Sequence, residues 1–271
     1  MGFSIAAVIV AAGSSSRMGG VKKEYLPLSE LPRPLDSRFS EETPLTVLGA
    51  AVSAFVSCPG IELVLIIIPQ GDEKTVRKSL PRDLFSGPKK QIHFISGGVT
   101  RRASVFNALL WLKDSNPSHV LIHDGARPWI KPELIEKVIQ GVKKFDAVVP
   151  ACPIVETPKE LNGLLETSDP DFKPLFIKRH LKRAAICTVQ TPQAFKYPDI
   201  LYAHEKARIK EEKEKIEYTD DSEIWGEFIG EVAVIPGDQD NRKITYPEDL
   251  PTGNNFPKEN HFKKTRSSSK C

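Results

Sequence analysis

Cysteine is scarce in this 271-residue sequence: the four present (Cys58, Cys152, Cys187, Cys271) form no Cys-x-x-Cys pair. That excludes a zinc knuckle and a disulfide framework, and reads as incidental thiols in a reducing compartment. Long hydrophobic runs are missing too. Stretches such as 61–69 stop far short of the ~20 residues a membrane span requires. No basic stretch precedes the first apolar run, which passes straight into a Gly/Ser turn, so a cleaved secretion signal is not expected. The expected location is cytoplasmic. Net charge is low at +3, and it is unevenly placed. Lys258, Lys263, Lys264, Arg266 and Lys270 stand in the last 21 residues against Glu259, so residues 1–250 carry −1. A basic nucleic-acid-binding body is thereby excluded. Neither GxxxxGK[ST] nor GxGxxG occurs, and no internal repeat is visible.

What is there is a rhythm of short apolar runs and longer mixed segments. Residues 5–12, 63–68, 92–95, 120–122, 147–149 and 232–235 are strand-like. The run 63–68 is continuously Leu, Val and Ile, as a strand covered on both faces requires. Residues 46–57, 104–113, 132–144 and 198–215 read as helices. The alternation predicts an α/β, three-layer, Rossmann-like domain over residues 1–250 with a mostly parallel central sheet. Three segments interrupt it: a Pro/Ser/charge-rich loop insertion at 27–44, an aperiodic projecting β-arm at 153–186, and a basic tail at 251–271 expected to be disordered. In such sheets ligands sit beyond the carboxyl ends of the strands.

Six clusters stand at such ends. Ala11-Ala12-Gly13-Ser14-Ser15-Ser16-Arg17 leads to Lys23, and small residues followed by two cations suit a polyphosphate, a plain Gly/Ser turn being the bland alternative. Gly97-Gly98 precedes Arg101 and Ser104, and Ser104 is either a helix cap or a contact to a base or phosphate. Asp124-Gly125 after a strand is a candidate metal carboxylate, or an Asp–Arg pair with Arg127. Gln190-Thr191-Pro192-Gln193, the capping segment Thr219-Asp220-Asp221, and Lys243 in a polar C-terminal loop complete the set.

Together the segments AAGSSSRMG…KKEYL, GGVTRRASV, HDGARP, VETPK, QTPQAF, TDD and NRKITYPEDL, in this order over residues 5–250, make the chain resemble the 2-C-methyl-D-erythritol 4-phosphate cytidylyltransferases of the non-mevalonate isoprenoid pathway. The resemblance implies transfer of CMP from CTP to a sugar phosphate, with Mg²⁺ and loss of pyrophosphate. It implies a CTP site of Ala11, Ala12, Gly13, Ser14, Ser15, Ser16, Arg17, Lys23, Gly98, Ser104, Asp124, Gly125 and Lys243. Arg17 and Lys23 match the pair that stabilises the transition state, and Arg183 and Lys243 join them in the catalytic set. Asp124 matches the acidic residue near the metal. Asp124, Thr157, Arg183, Thr191 and Lys243 match the residues on the sugar phosphate, Thr157 acting from a neighbouring subunit, which implies a homodimer through the arm. No nucleic-acid or membrane partner is implied. Two departures stand out: Glu156-Thr157-Pro158 in place of the usual Asp-Thr, and Arg242 where the family has an apolar residue. The competing readings are a cytidylyltransferase for ribitol 5-phosphate or another polyol phosphate, and a non-catalytic nucleotide sensor on the same scaffold.

Overall fold

The computed structural model describes residues 3–28, 45–85, 91–165 and 174–250. In chain order these form β1 (Ile5–Val10), α1 (Val47–Ser57), β2 (Leu63–Ile68), α2 (Glu73–Ser79), β3 (Gln91–Ser96) and α3 (Arg101–Trp111). There follow β4 (His119–Asp124), α4 (Pro132–Val142), β5 (Ala147–Pro153), β6 (Lys159–Leu161), β7 (Ile177–His180) and β8 (Cys187–Val189). The last elements are β9 (Gln193–Lys196), α5 (Tyr197–Glu214), α6 (Asp221–Phe228) and β10 (Ala233–Pro236). The main sheet is ordered β10-β5-β9-β4-β1-β2-β3, with β8 beside β5. β3, β2, β1 and β4 are parallel, β9 runs antiparallel between β4 and β5, and β10 is parallel to β5. The carboxyl ends of β1, β2, β3, β4, β5 and β10 therefore share one edge of the sheet.

The unbroken apolar runs reflect burial on two faces. In β1, Ile5, Ala7 and Ile9 pack with Leu48 and Phe55 of α1 and Ile135 of α4, while Ala6 and Val8 pack with Val105 and Leu109 of α3 and Ile200 of α5. All six residues of β2 are buried. A third cluster joins Met18, Leu28, Val47, Ile244 and Leu250, pinning the loop after β1 and the 244–250 segment to the start of α1.

The expected α/β layering and mostly parallel sheet are present. One boundary is corrected: α3 starts at Arg101, not Ser104, because Thr100 caps it, its Oγ1 accepting from the Ala103 N–H at 3.0 Å. β9 was not anticipated as a strand. In the segment expected to project, β6 and β7 pair in a two-stranded sheet separate from the main one, and β7 is exposed throughout. Of the 27–44 insertion, residues 29–44 lie outside the described residues, as does the 251–271 tail. The insertion leaves and returns at one point, where the Leu28 N–H donates to Leu45 O at 2.7 Å.

Candidate active site

The loop after β1 is built to expose backbone. From Gly13 to Arg17 the N–H groups donate to no protein group among the described residues, while the Ala11 and Met18 N–H groups on either side are bonded to Ile67 O and Ser15 O. Consecutive unpaired amides form a concavity suited to an anion. Lys22 braces this loop from behind, its Nζ donating to Ala11 O at 2.9 Å and to Gly13 O. Ser15 Oγ donates to Glu24 Oε2 at 3.1 Å, with Glu24 itself buried. Lys23 is buried beside it. Desolvation pushes its pKa below the ordinary lysine value; Glu24 opposes that shift, and Lys243 and Arg17 add to it.

The second wall comes from the loop between β3 and α3. Gly97 and Gly98 are required by space: a Cβ on Gly97 would stand 2.4 Å from Ala12 Cβ, and one on Gly98 2.7 Å from Ala103 Cβ. Ser104 lies in the first turn of α3, accepting from the Gly98 N–H at 2.9 Å and donating to Thr100 O at 2.8 Å. It therefore fixes the glycine loop rather than capping the helix.

Asp124, last residue of β4, is the hub. Lys243 Nζ lies 2.9 Å from Oδ2, Arg101 Nε 3.5 Å from Oδ1 and Arg127 Nε 3.7 Å from Oδ2. Burial alone would raise its pKa; Lys243, Arg101 and Arg127 outweigh that and hold the carboxyl far below the usual carboxylate range. Behind it, Thr191 Oγ1 accepts from the Asp124 N–H at 3.1 Å and lies 3.0 Å from His123 Nδ1. His123 Nε2 lies 3.3 Å from Arg127 O. A carbonyl can only accept, so the ring carries its proton on Nε2 and takes the Thr191 hydroxyl proton on Nδ1. Burial pushes the His123 pKa down to about 3. Gly125 allows β4 to end against β1, since a Cβ there would meet Val10 O at 3.1 Å and Leu48 Cδ1 at 3.0 Å. Arg127 Nη1 donates to Asn241 O at 2.7 Å, and Asn241 Nδ2 to Thr191 O at 2.8 Å, tying the loop that carries Lys243 to β4.

These walls enclose an open cavity of about 550 Å³. Of the residues singled out in the sequence, Ala12, Gly13, Ser14, Ser15, Ser16, Arg17, Lys23, Gly98, Ser104, Asp124 and Lys243 line it. Ala11, Gly125 and Thr191 stand behind the lining and hold its shape. Arg183 and Thr157 are not brought to it: Arg183 Nη1 donates to Val155 O at 2.9 Å, and Thr157 is exposed in the loop between β5 and β6. A larger depression of about 720 Å³ beside Cys58, Ile139 and Phe145 gathers none of these residues.

Arg101, noted in the sequence beside Ser104 but not given a place in the CTP site, also lines the cavity, as do Glu24 and Glu217, and Lys22 supports it. Lys22 and Glu24 flank Lys23 in KKEYL, a signal that was visible, whereas Arg101 depends on Asp221, whose Oδ2 lies 2.8 Å from Arg101 Nη2 across 120 residues. Among the described residues no three His, Cys, Asp or Glu side chains gather to hold a metal ion. Asp124 and Glu24 do offer carboxylates on the cavity wall. That donor set fits Mg²⁺, which binds through one or two carboxylates together with phosphate oxygens. An arrangement with several cations, unpaired amides and two carboxylates around one cavity can bind a polyphosphate and stabilise charge developing on it.

A family model described as 2-C-methyl-D-erythritol 4-phosphate cytidylyltransferase, IspD, matches residues 5–256. A protein named 2-C-methyl-D-erythritol 4-phosphate cytidylyltransferase from Pelotomaculum thermopropionicum is 34% identical over 248 residues, 91% of each chain. A protein named bifunctional enzyme IspD/IspF from Brucella abortus is 33% identical over 219 residues, which is 79% of this chain and 50% of that one. The chain thus spans about half the length of the bifunctional relatives it matches. Among solved structures, 4-diphosphocytidyl-2C-methyl-D-erythritol synthase from Anaerococcus prevotii superposes with a TM-score of 0.70 at 27% identity, covering 91% of this chain and 92% of that one. Among the described residues no helix is long and apolar enough to cross a membrane.

Proposed function

We propose that this chain, which belongs to the 2-C-methyl-D-erythritol 4-phosphate cytidylyltransferase (IspD) family, transfers CMP from CTP to 2-C-methyl-D-erythritol 4-phosphate. A phosphate oxygen of the acceptor attacks the α-phosphorus of CTP. The new P–O bond forms as the bond to the bridging oxygen breaks, and that oxygen leaves with its electron pair as pyrophosphate. The second pKa of a phosphate monoester is ~6, so the acceptor is already a dianion at neutral pH and no general base is required. The obstacle is repulsion between anions, and the proposed residues are those that relieve it.

The observation that carries this reading is the row of unpaired amides from Gly13 to Arg17 facing the buried Lys23 in one cavity. In it the amides and Ser14–Ser16 cradle the triphosphate, and Arg17 and Lys23 stabilise the charge that grows on the transferring phosphorus. Gly98 and Ser104 flank the nucleoside. Lys243 orients the acceptor phosphate, and Asp124 sets the position of Lys243. Bound Mg²⁺ supplies neutralisation of triphosphate charge; Asp124, with Glu24 across the loop, would hold it. Thr157 and Arg183, which do not line the cavity of their own chain, act on the acceptor in a homodimer whose arms cross. Thr191 supports the acceptor side through Asp124. The reading takes residues 1–250 as a single catalytic domain in the cytoplasm.

The deciding experiment is pyrophosphate release from CTP and Mg²⁺ with methylerythritol 4-phosphate and ribitol 5-phosphate supplied separately. Release with methylerythritol phosphate alone is expected. Release with ribitol phosphate alone keeps the chemistry and overturns the acceptor. Silence with both, alongside CTP binding, overturns the enzyme reading.

A further inference from the structure

A line of polar and charged side chains runs from behind the cavity into its wall. His204, on the inner face of α5, is 0% exposed, and its Nε2 lies 3.2 Å from Asp221 Oδ1. Asp221, the first residue of α6, is likewise 0% exposed, and its other oxygen lies 2.8 Å from Arg101 Nη2. Arg101 opens α3 and reaches Asp124 through Nε at 3.5 Å, and Asp124 holds Lys243 at 2.9 Å. From Asp221 to Lys243 the charges alternate, and four separate elements and the 237–246 loop each contribute one group to the line. Removing one member of such a chain leaves its neighbour buried without a counter-charge.

Asp221 has two oxygens and two neighbours. With Arg101 on one side, the other oxygen faces only the imidazole. A carboxylate accepts, so the nitrogen that faces it, Nε2, carries a hydrogen, while Nδ1 meets no hydrogen-bond partner among the described residues. Both contacts of Asp221 are close but not aligned as hydrogen bonds, so the pairing with Arg101 at 2.8 Å and with His204 at 3.2 Å is one of charge and distance. A histidine that merely filled space in this apolar layer, beside Ile200, Ala203 and Ala207, would have no reason to face the carboxylate.

We propose that His204 is a positioning residue: by holding Asp221 against Arg101 it sets the guanidinium on Asp124, and so fixes where the Arg101 and Lys243 cations stand in the cavity before substrate arrives. The proposal rests on the nucleotidyl-transfer reading and adds a residue that touches neither nucleotide nor acceptor. Loss of the restraint costs most where cation placement matters most, in the transition state.

The test compares His204→Gln, whose Nε2 amide can still donate at a similar reach, with His204→Leu, which fills the space without a donor. Both are assayed for kcat and for KM of CTP, and the full-length protein without nucleotide is examined by NMR for the Arg101 Nε–H signal. The Leu variant is expected to lose on the order of 10-fold in kcat, with KM changed less, and the Gln variant to recover most of it. The Arg101 Nε–H should exchange slowly in the wild type and the Gln variant, and fast in the Leu variant. Equal kcat values for the two variants, whether both impaired or both unchanged, overturn the proposal. If the Leu variant does not fold, the wild type decides alone: ¹⁵N shifts showing a hydrogen on His204 Nε2 support it, and an unprotonated Nε2 overturns it. Should no acceptor yield pyrophosphate, the reaction reading fails, while the Arg101 exchange and the His204 Nε2 hydrogen still decide the positioning claim.

Discussion

Lys23 is a cation kept where water scarcely reaches, with Arg17 and Lys243 nearby, and that environment governs both its worth and its titration. Lys23→Ala is expected to lower kcat by ~10²–10³-fold, the cost of losing one preorganised stabiliser of developing charge, with a smaller change in CTP binding measured by calorimetry; near-normal kcat removes Lys23 from this role. Its lowered pKa has a definite sign. The ammonium is lost as pH rises, earlier than for a free lysine, so kcat/KM for CTP should fall on the alkaline side at a pH below the ordinary lysine value. Lys23→Arg keeps the charge and should shift that limb upward; an unmoved limb assigns it to another group. His123 behaves differently because it touches no solvent and matters through stability. Its folded pKa, about 3, lies below the ordinary 6.5, so folding excludes a proton the unfolded chain accepts. The stability this neutral ring contributes is complete above the unfolded value and is lost as pH falls toward the folded one, at up to ~1.4 kcal/mol per pH unit. Urea midpoints between pH 7 and 4 should therefore decline, and His123→Gln should flatten the decline. The residual slope belongs in part to His119, whose pKa burial also lowers.

At the scale of elements, the site depends on loops that approach more closely than side chains normally permit. The loop after β3 lies against the loop after β1 because Gly97 has no Cβ, the nearest atom to such a carbon being Ala12 Cβ at 2.4 Å. Gly97→Ala should cost about 1–3 kcal/mol of stability through overpacking and also weaken CTP binding, since the displaced neighbour is the phosphate loop; an unchanged urea midpoint would show that the two loops can separate freely. This contact also marks where sequence reading reached and where it stopped. β1, β2 and β4 were legible because burial on both faces writes an unbroken apolar run. β9 was not, because Gln193 and Lys196 bracket only Ala194 and Phe195, and its reversed direction is imposed by the β4 and β5 neighbours. Thr100 displaced Ser104 as the cap of α3, the glycine pair having hidden where the helix could start. Of the site, Asp124 and Lys23 were legible from their places after strands. The Arg101–Asp221 pair was not, because nothing local links residues 120 positions apart.

For the whole molecule, the sheet gathers one set of loops at its carboxyl edge, while the arm carries Thr157 and Arg183 elsewhere. Val155 and Ile177 of that arm, with Leu164 and Phe176, are more than half exposed, an apolar surface that a second copy would cover. If the arm serves the neighbouring subunit, an active site draws Lys23 from one chain and Thr157 from the other. Co-expressed chains carrying Lys23→Ala and Thr157→Ala would then pair at random into three dimers. Each mixed dimer holds one site with both lesions and one with neither, so about a quarter of all sites should be intact. Co-expression is thus expected to restore about a quarter of wild-type turnover from two chains that are each impaired alone, with sedimentation equilibrium showing the dimer. Turnover no higher than the mean of the two parents would place Thr157 on its own chain's substrate or outside the reaction altogether. Restoration has no explanation within a single chain, because neither lesion can be repaired there. The arm, none of whose described residues is buried, would then exist to complete its neighbour.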